Sequence, residues 1–137
     1  MECMVKKYQF AFTLIELVIV LAVVCVLTCT AYSNYQNYVV KAHRVNAAIA
    51  LMNLAAGMER YYNNNHSYRG ASLKNMRIND NSDFYRLKIT SENDTAYLIE
   101  AIPVGMQVKA DKKCGTLILN QLGEESVSKG NTIYCWP

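Results

Sequence analysis

The chain has 137 residues, a net charge of +3 and 52% hydrophobic residues, room for one small domain plus a membrane segment. The charge excess is too mild to mark a nucleic-acid partner by itself, and all of it lies after residue 40, because Lys6 and Lys7 are offset by Glu2 and Glu16. No Gly-rich phosphate loop, nucleophile elbow, paired-carboxylate motif, metal-ligand spacing or internal repeat is present, so no catalytic residue, cofactor or metal is expected.

The N-terminal part sets the class. Residues 1–11 form a short polar leader carrying Lys6 and Lys7, and an apolar run follows from Phe12 to about Ala31. At roughly 20 residues this run is long enough to cross a bilayer as a helix. One carboxylate, Glu16, sits in its first turn. An acid within such a segment costs at least about 2.5 kcal/mol on insertion scales, so Glu16 is expected to have a partner or a task. The small residue Ala11 precedes the apolar run, whereas an ordinary secretory signal places its small-residue cleavage site after it. A cut between Ala11 and Phe12 would leave the hydrophobic helix on the mature protein. Cys25 and Cys29, four residues apart, share one helix face and read as small apolar packing residues. Tyr32, Tyr35 and Tyr38 read as an interfacial aromatic belt or as packing against neighbouring subunits.

No proline interrupts the chain from Phe12 to about Asn63, which predicts one helix of about 50 residues, roughly 75 Å long. Its membrane part is assigned to residues 12–40. Beyond it, Val45, Ile49, Met52, Ala55 and either Met58 or Tyr62 recur at three- and four-residue spacing, which predicts one apolar face, with Lys41, Arg44, Asn46, Asn53 and Arg60 mostly off it. Asn63-Asn64-Asn65 is predicted to end the helix, and a polar stretch to about Asp83 to be a loop. Strands are predicted over Phe84–Thr90, where Tyr85, Leu87 and Ile89 share a face, then Ala96–Ile102, Gly115–Asn120 and a short Glu124–Ser128. The fold class is α+β: a long N-terminal helix, half membrane-spanning and half amphipathic, packed on an antiparallel sheet of about four strands, with residues 41–137 as the globular head.

The stretch Ala11-Phe12-Thr13-Leu14-Ile15-Glu16-Leu17 resembles the type III signal of type IV pilins and pseudopilins. The tail, from Asp111-Lys112-Lys113-Cys114-Gly115 through Gly123 to Cys135-Trp136, resembles minor pilins of the PilE and ComP type. The resemblance implies the type IV pilin fold and removal of the leader at Ala11–Phe12 by a prepilin peptidase, which then methylates the amine of Phe12. It implies that Glu16 pairs with the Phe12 amine of an adjacent subunit during assembly, a charge neutralisation that makes the buried acid tolerable. Lys6 and Lys7 would hold the leader in the cytoplasm, and the head would reach an oxidising periplasm where disulfides persist. Cys114 and Cys135 would then bridge, closing a loop of about 22 residues for roughly 3 kcal/mol. The chain departs from the family pattern at Ala11, usually Gly, and at Cys25 and Ser33, which stand where many members carry Gly and Pro; a straighter helix is implied.

The implied function is a minor structural subunit of a type IV pilus, incorporated into the filament or priming its assembly, in support of adhesion, twitching motility or DNA uptake. Its partners would be other pilin subunits, the prepilin peptidase, the pilus assembly platform and the inner membrane, which it would occupy as a single-pass protein of a Gram-negative-type envelope before moving to the surface pilus. Two alternatives are carried: a pilin that is itself a DNA receptor, and a type II secretion pseudopilin. For the first, Lys109, Lys112 and Lys113 are the candidate DNA contacts, with Lys129, Arg86 and Lys88 extending the strip and Asp111, Glu124 and Glu125 diluting it. His43 and His66 read as surface residues, and Asp80, Asp83, Glu92 and Asp94 as scattered turn acids.

Overall fold

The computed structural model describes residues 12–80 and 82–137. The chain forms two compact units, one up to Gln36 and one from Asn37 to Pro137. Helix α1 runs Leu14–Asn65. Thr13 opens it by accepting the Glu16 backbone N–H on its hydroxyl at 3.3 Å, and the acid in the first turn faces the positive end of the helix dipole. The helix ends at the last residue of the predicted Asn63-Asn64-Asn65 run. It closes where His66 takes a positive φ of 55° and its N–H meets the Tyr62 carbonyl at 2.7 Å, a cap that more often uses glycine.

In the first unit no side chain of the apolar stretch is buried within the chain, and the helix is long and apolar enough to cross a membrane. Two of its threonine hydroxyls are satisfied within the helix. Thr28 donates to the Val24 and Cys25 carbonyls and Thr30 to that of Leu27, which leaves an outer surface compatible with hydrocarbon.

The second unit lays the later part of α1 on a four-stranded antiparallel sheet of order β1-β2-β3-β4. The strands are β1 Tyr85–Glu92, β2 Tyr97–Pro103, β3 Leu117–Asn120 and β4 Glu125–Val127, each within two residues of its predicted bounds. Alternation sends Tyr85 and Leu87, then Tyr97, Ile99 and Ala101, then Leu117 and Leu119 toward the helix. The register places Leu87 opposite Ala101 and Ala101 opposite Leu117, so the inward residues form continuous rows across the sheet. Register shifts between Ile89 and Ser91, a bulge at the end of β1.

The face of α1 that meets the sheet keeps Ala55 and Met58 of the predicted stripe and departs from it before them. Ala47, Ala48, Leu51, Leu54 and Met58 are buried, whereas Val45, Ile49 and Met52 point away, with Ile49 51% and Met52 52% exposed. Arg44, expected off the apolar face, is buried within it. The helix is apolar on two sides, and periodicity cannot say which side finds the sheet. His43, expected at the surface, is half-buried and stacks on Phe84 with ring centroids 3.6 Å apart.

The stretch after α1 is held down along its length. Tyr68 is buried, donates to the Glu59 carboxylate at 2.9 Å and packs its ring on Tyr62 and Tyr97. Burial, then the Glu59 hydrogen bond and charge, push the Tyr68 phenol up to about 12. Asp80, read as a scattered turn acid, accepts the Leu87 N–H at 2.6 Å and pins the loop to β1. Gly57 is where the loop lies flush on the helix, since a Cβ there would come within 2.9 Å of Ile78 Cδ1.

The corrected helix face is directly testable. Leu51→Ala should lower unfolding free energy by about 2–5 kcal/mol through cavity formation, while Ile49→Ala should change it by less than about 0.5 kcal/mol. Urea unfolding of the two variants in detergent, followed by circular dichroism, reads both; equal losses would restore the predicted stripe.

Candidate nucleic-acid interface

Two short helices not foreseen in the sequence shape the region that carries the candidate lysines: α2, Met106–Ala110, and α3, Thr132–Cys135. Neither has the length for periodicity to register. Asn131 caps α3 by accepting the Ile133 N–H at 2.9 Å. Helix α2 ends where the Asp111 N–H meets the Gln107 carbonyl at 2.8 Å. Lys109 lies in its last turn, favourable for a cation at the negative end of the dipole. Lys112 and Lys113 follow in the turn leading to Cys114.

The three lysines surround one surface cavity of about 290 Å³. Its other walls are Asn37 and Val40 on α1 and Tyr134 on α3, with Arg44 and Asp111 also lining it. Lys109, Lys112 and Lys113 are exposed and Tyr134 is 66% exposed, so three ammonium groups and an aromatic ring are available to one ligand. Lys129 sits next to this group through its backbone, with its N–H bonded to the Cys114 carbonyl at 3.2 Å. Arg86 and Lys88 lie instead on the outward face of β1, where Lys88 pairs in register with Glu100 on β2.

Asp111 does not dilute the cluster as an exposed acid would. Its carboxylate is buried, with Oδ2 3.1 Å from Arg44 Nε, and it also accepts the Tyr85 hydroxyl at 3.1 Å. Burial, more than any other influence, pushes the Tyr85 phenol far up and keeps it neutral; the Gln107 hydrogen bond opposes this and the Asp111 charge reinforces it. The same Gln107 side chain donates to the Tyr85 oxygen and to the Val40 carbonyl, each at 3.2 Å. Arg44 Nη1 donates onward to the carbonyls of Tyr134 at 3.3 Å and Cys135 at 3.2 Å, and its guanidinium lies 5.6 Å from the Tyr134 ring centroid. One arginine on α1 thus holds both the lysine segment and the C-terminal loop. Glu124 is turned to Asn120, whose side-chain amide donates to it at 2.6 Å.

Cys114 and Cys135 are bonded, with Cα atoms 5.4 Å apart and 21 positions apart in sequence. Gly130 takes a φ of 75°, and a Cβ there would come within 2.5 Å of the Lys113 carbonyl oxygen, so this glycine allows the loop to close against the lysine turn. Arg44, Tyr85, Gln107, Tyr134 and Gly130 were not foreseen as members of the region. The available signal was Arg44, whose spacing to Ala47, Ala48, Leu51 and Met58 puts a charge in register with a second apolar row.

Elsewhere, Phe12 and Glu16 are exposed at the start of α1, and Glu16 makes no ion pair among the described residues. Ala11, on the other side of the expected cut, lies outside the described residues. Asp94, another acid read as scattered, pairs with Arg69 at 3.3 Å and accepts the Ser67 hydroxyl at 2.8 Å. Among the described residues no group of three or more His, Cys, Asp or Glu is placed to hold a metal ion.

Residues 33–118 match the family described as type IV minor pilin ComP, DNA uptake sequence receptor. Residues 6–31 match the prokaryotic N-terminal methylation motif. The crystal structure of the non-core minor pilin PilV of Neisseria meningitidis is similar in fold, with a TM-score of 0.56, 17% sequence identity and coverage of 69% of this chain and 91% of that one. No curated protein sequence matches.

Replacing both Cys114 and Cys135 by Ser should cost about 3 kcal/mol of stability, from the roughly 20-residue loop that the bond closes. The reading is the unfolding midpoint of the oxidised chain against the double variant. An unchanged midpoint would mean that the buried ion pair alone holds the C-terminal loop.

Proposed function

We propose, from the premise that this chain belongs to the family of type IV minor pilins of the ComP type, that it is a minor subunit of a pilus whose head receives DNA. The observation that carries this reading is the convergence of Lys109, Lys112 and Lys113 on one open cavity, with the acid among them spent on Arg44. Ammonium groups so placed attract phosphate, release condensed counterions and give binding that weakens with salt. Such contacts supply affinity and register, while sequence is read from base edges or DNA shape. Tyr134 at the cavity rim is the aromatic surface available for that second task. No chemistry on the DNA is required of the protein.

The full mature chain in detergent should bind a DNA duplex at low salt, with log affinity falling against log salt at a slope of about −2.7 if each of the three lysines neutralises one phosphate. Replacing all three by Gln should abolish most of that slope, as read by fluorescence anisotropy. Absence of binding by the unaltered chain at low salt would remove the receptor role.

Assembly into the filament rests on other residues. In this reading the leader leaves at Ala11–Phe12, Phe12 becomes an N-methylated amine, and Glu16 of one subunit neutralises the amine of the next. The unpaired carboxylate at the start of an apolar, unburied helix supports it. The outward row Val45, Ile49 and Met52 supports it too, because three apolar side chains turned away from their own sheet are suited to a neighbouring helix. Adhesion and twitching motility would follow from the filament, with no residue of this chain dedicated to them. Mass spectrometry of the mature chain should find N-methylated Phe12. Glu16→Ala should leave that modification in place while lowering the amount of the subunit in sheared pili by tenfold or more, about 1.4 kcal/mol per tenfold. Normal incorporation would count against the role of Glu16.

A further inference from the structure

Among three exposed lysines stands one acid that simple charge counting treats as a defect. We infer that Asp111, with Arg44 behind it, is a positioning residue for DNA binding. The pair fixes the segment so that Lys109, Lys112 and Lys113 project into one cavity, and it prevents the carboxylate from neutralising them. This rests on the DNA-receiving reading above.

The geometry has two parts. Asp111 is 4% exposed while Lys109, Lys112 and Lys113 are exposed, so the segment has a single inward anchor with its cations outward. The anchor is held from three elements: Arg44 of α1 at 3.1 Å, Tyr85 of β1 at 3.1 Å, and through Tyr85 the Gln107 amide of α2, which also reaches the Val40 carbonyl. A segment tied this way is ordered before DNA arrives, so ordering is not charged against binding. Electrostatics make the second part. A carboxylate released to the surface at position 111 would stand between Lys109 and Lys112 in the chain, at the wall of the cavity the three lysines share. Turned inward and matched by a guanidinium, it leaves their field to the solvent side.

This sets the sign of an experiment. Asp111→Asn adds one unit of positive charge to the head, and charge counting alone expects tighter DNA binding. Positioning expects the reverse: weaker binding at every salt concentration, with a salt slope shallower by about one because the cations no longer reach phosphates together. Loss of folded molecules lowers apparent affinity without changing the slope, so the slope separates a positioning role from simple destabilisation. Tyr85→Phe is the companion variant. It leaves net charge unchanged and removes one of the two groups holding Asp111, so it should flatten the slope in the same direction by a smaller amount; it also serves if Asp111→Asn does not fold. Both are measured as full mature chains in detergent, by anisotropy with a fluorescent duplex across a salt series. A flatter slope in either variant supports the inference. If the unaltered chain binds DNA and the folded variants bind as tightly or more tightly with an unchanged slope, the positioning role is overturned and the receptor role stands. If the unaltered chain does not bind at low salt, the receptor role fails and takes this inference with it.

Discussion

Arg44 is a guanidinium set in a helix face otherwise made of Ala47, Ala48, Leu51, Leu54 and Met58. A charge in such a place is tolerated only when a partner and further hydrogen bonds replace the water it has lost. Here the replacement comes from Asp111 and from the carbonyls of Tyr134 and Cys135, groups that lie far along the chain. The requirement to satisfy one side chain therefore dictates where the 106–114 segment and the C-terminal loop must sit. The disulfide between Cys114 and Cys135 joins those same two segments covalently, and Gly130 lets them approach. A sheet of four short strands has little core to spare for holding loops, and a polar hub plus a covalent link supplies what apolar contact does not.

Much of this architecture was legible in the sequence, and the exceptions have physical causes. The first strand announced itself because period-two alternation at Tyr85 and Leu87 maps onto burial, and the others because turn residues and Pro103 bound them. The long helix did so because nothing breaks it. The face of that helix was misread because Val45, Ile49 and Met52 keep the right spacing for a core they do not join. Arg44 and Asp111 were legible as charges but not as a pair, since 67 positions separate them and only the folded chain brings them together. The lysines could be named from their clustering; that they share a cavity depends on α2 and α3, helices too short to leave a periodic trace. The ordering of the loop after α1 came from single contacts, such as Tyr68 with Glu59 and Asp80 with the Leu87 N–H, which no local pattern reveals.

The apolar surface is divided into what the chain buries itself and what it leaves. The sheet and one side of α1 complete each other within the second unit. The first unit buries none of its apolar stretch within the chain, and its threonines bond back to their own helix, so its surface suits lipid and, equally, other helices of the same kind. In the second unit, taken by itself, Val45, Ile49 and Met52 are also left outside the core.

The arrangement of the 109–113 segment also bears on how such a protein diverges. Its inward position, Asp111, is committed to Arg44, whereas the outward positions 109, 112 and 113 touch solvent and carry little of the stability, and surface changes of that kind usually fall within about 0.5 kcal/mol. Side chains at these outward positions can therefore change at little cost in stability while the scaffold beneath stays the same. A fixed root and a variable crown thus share one short segment.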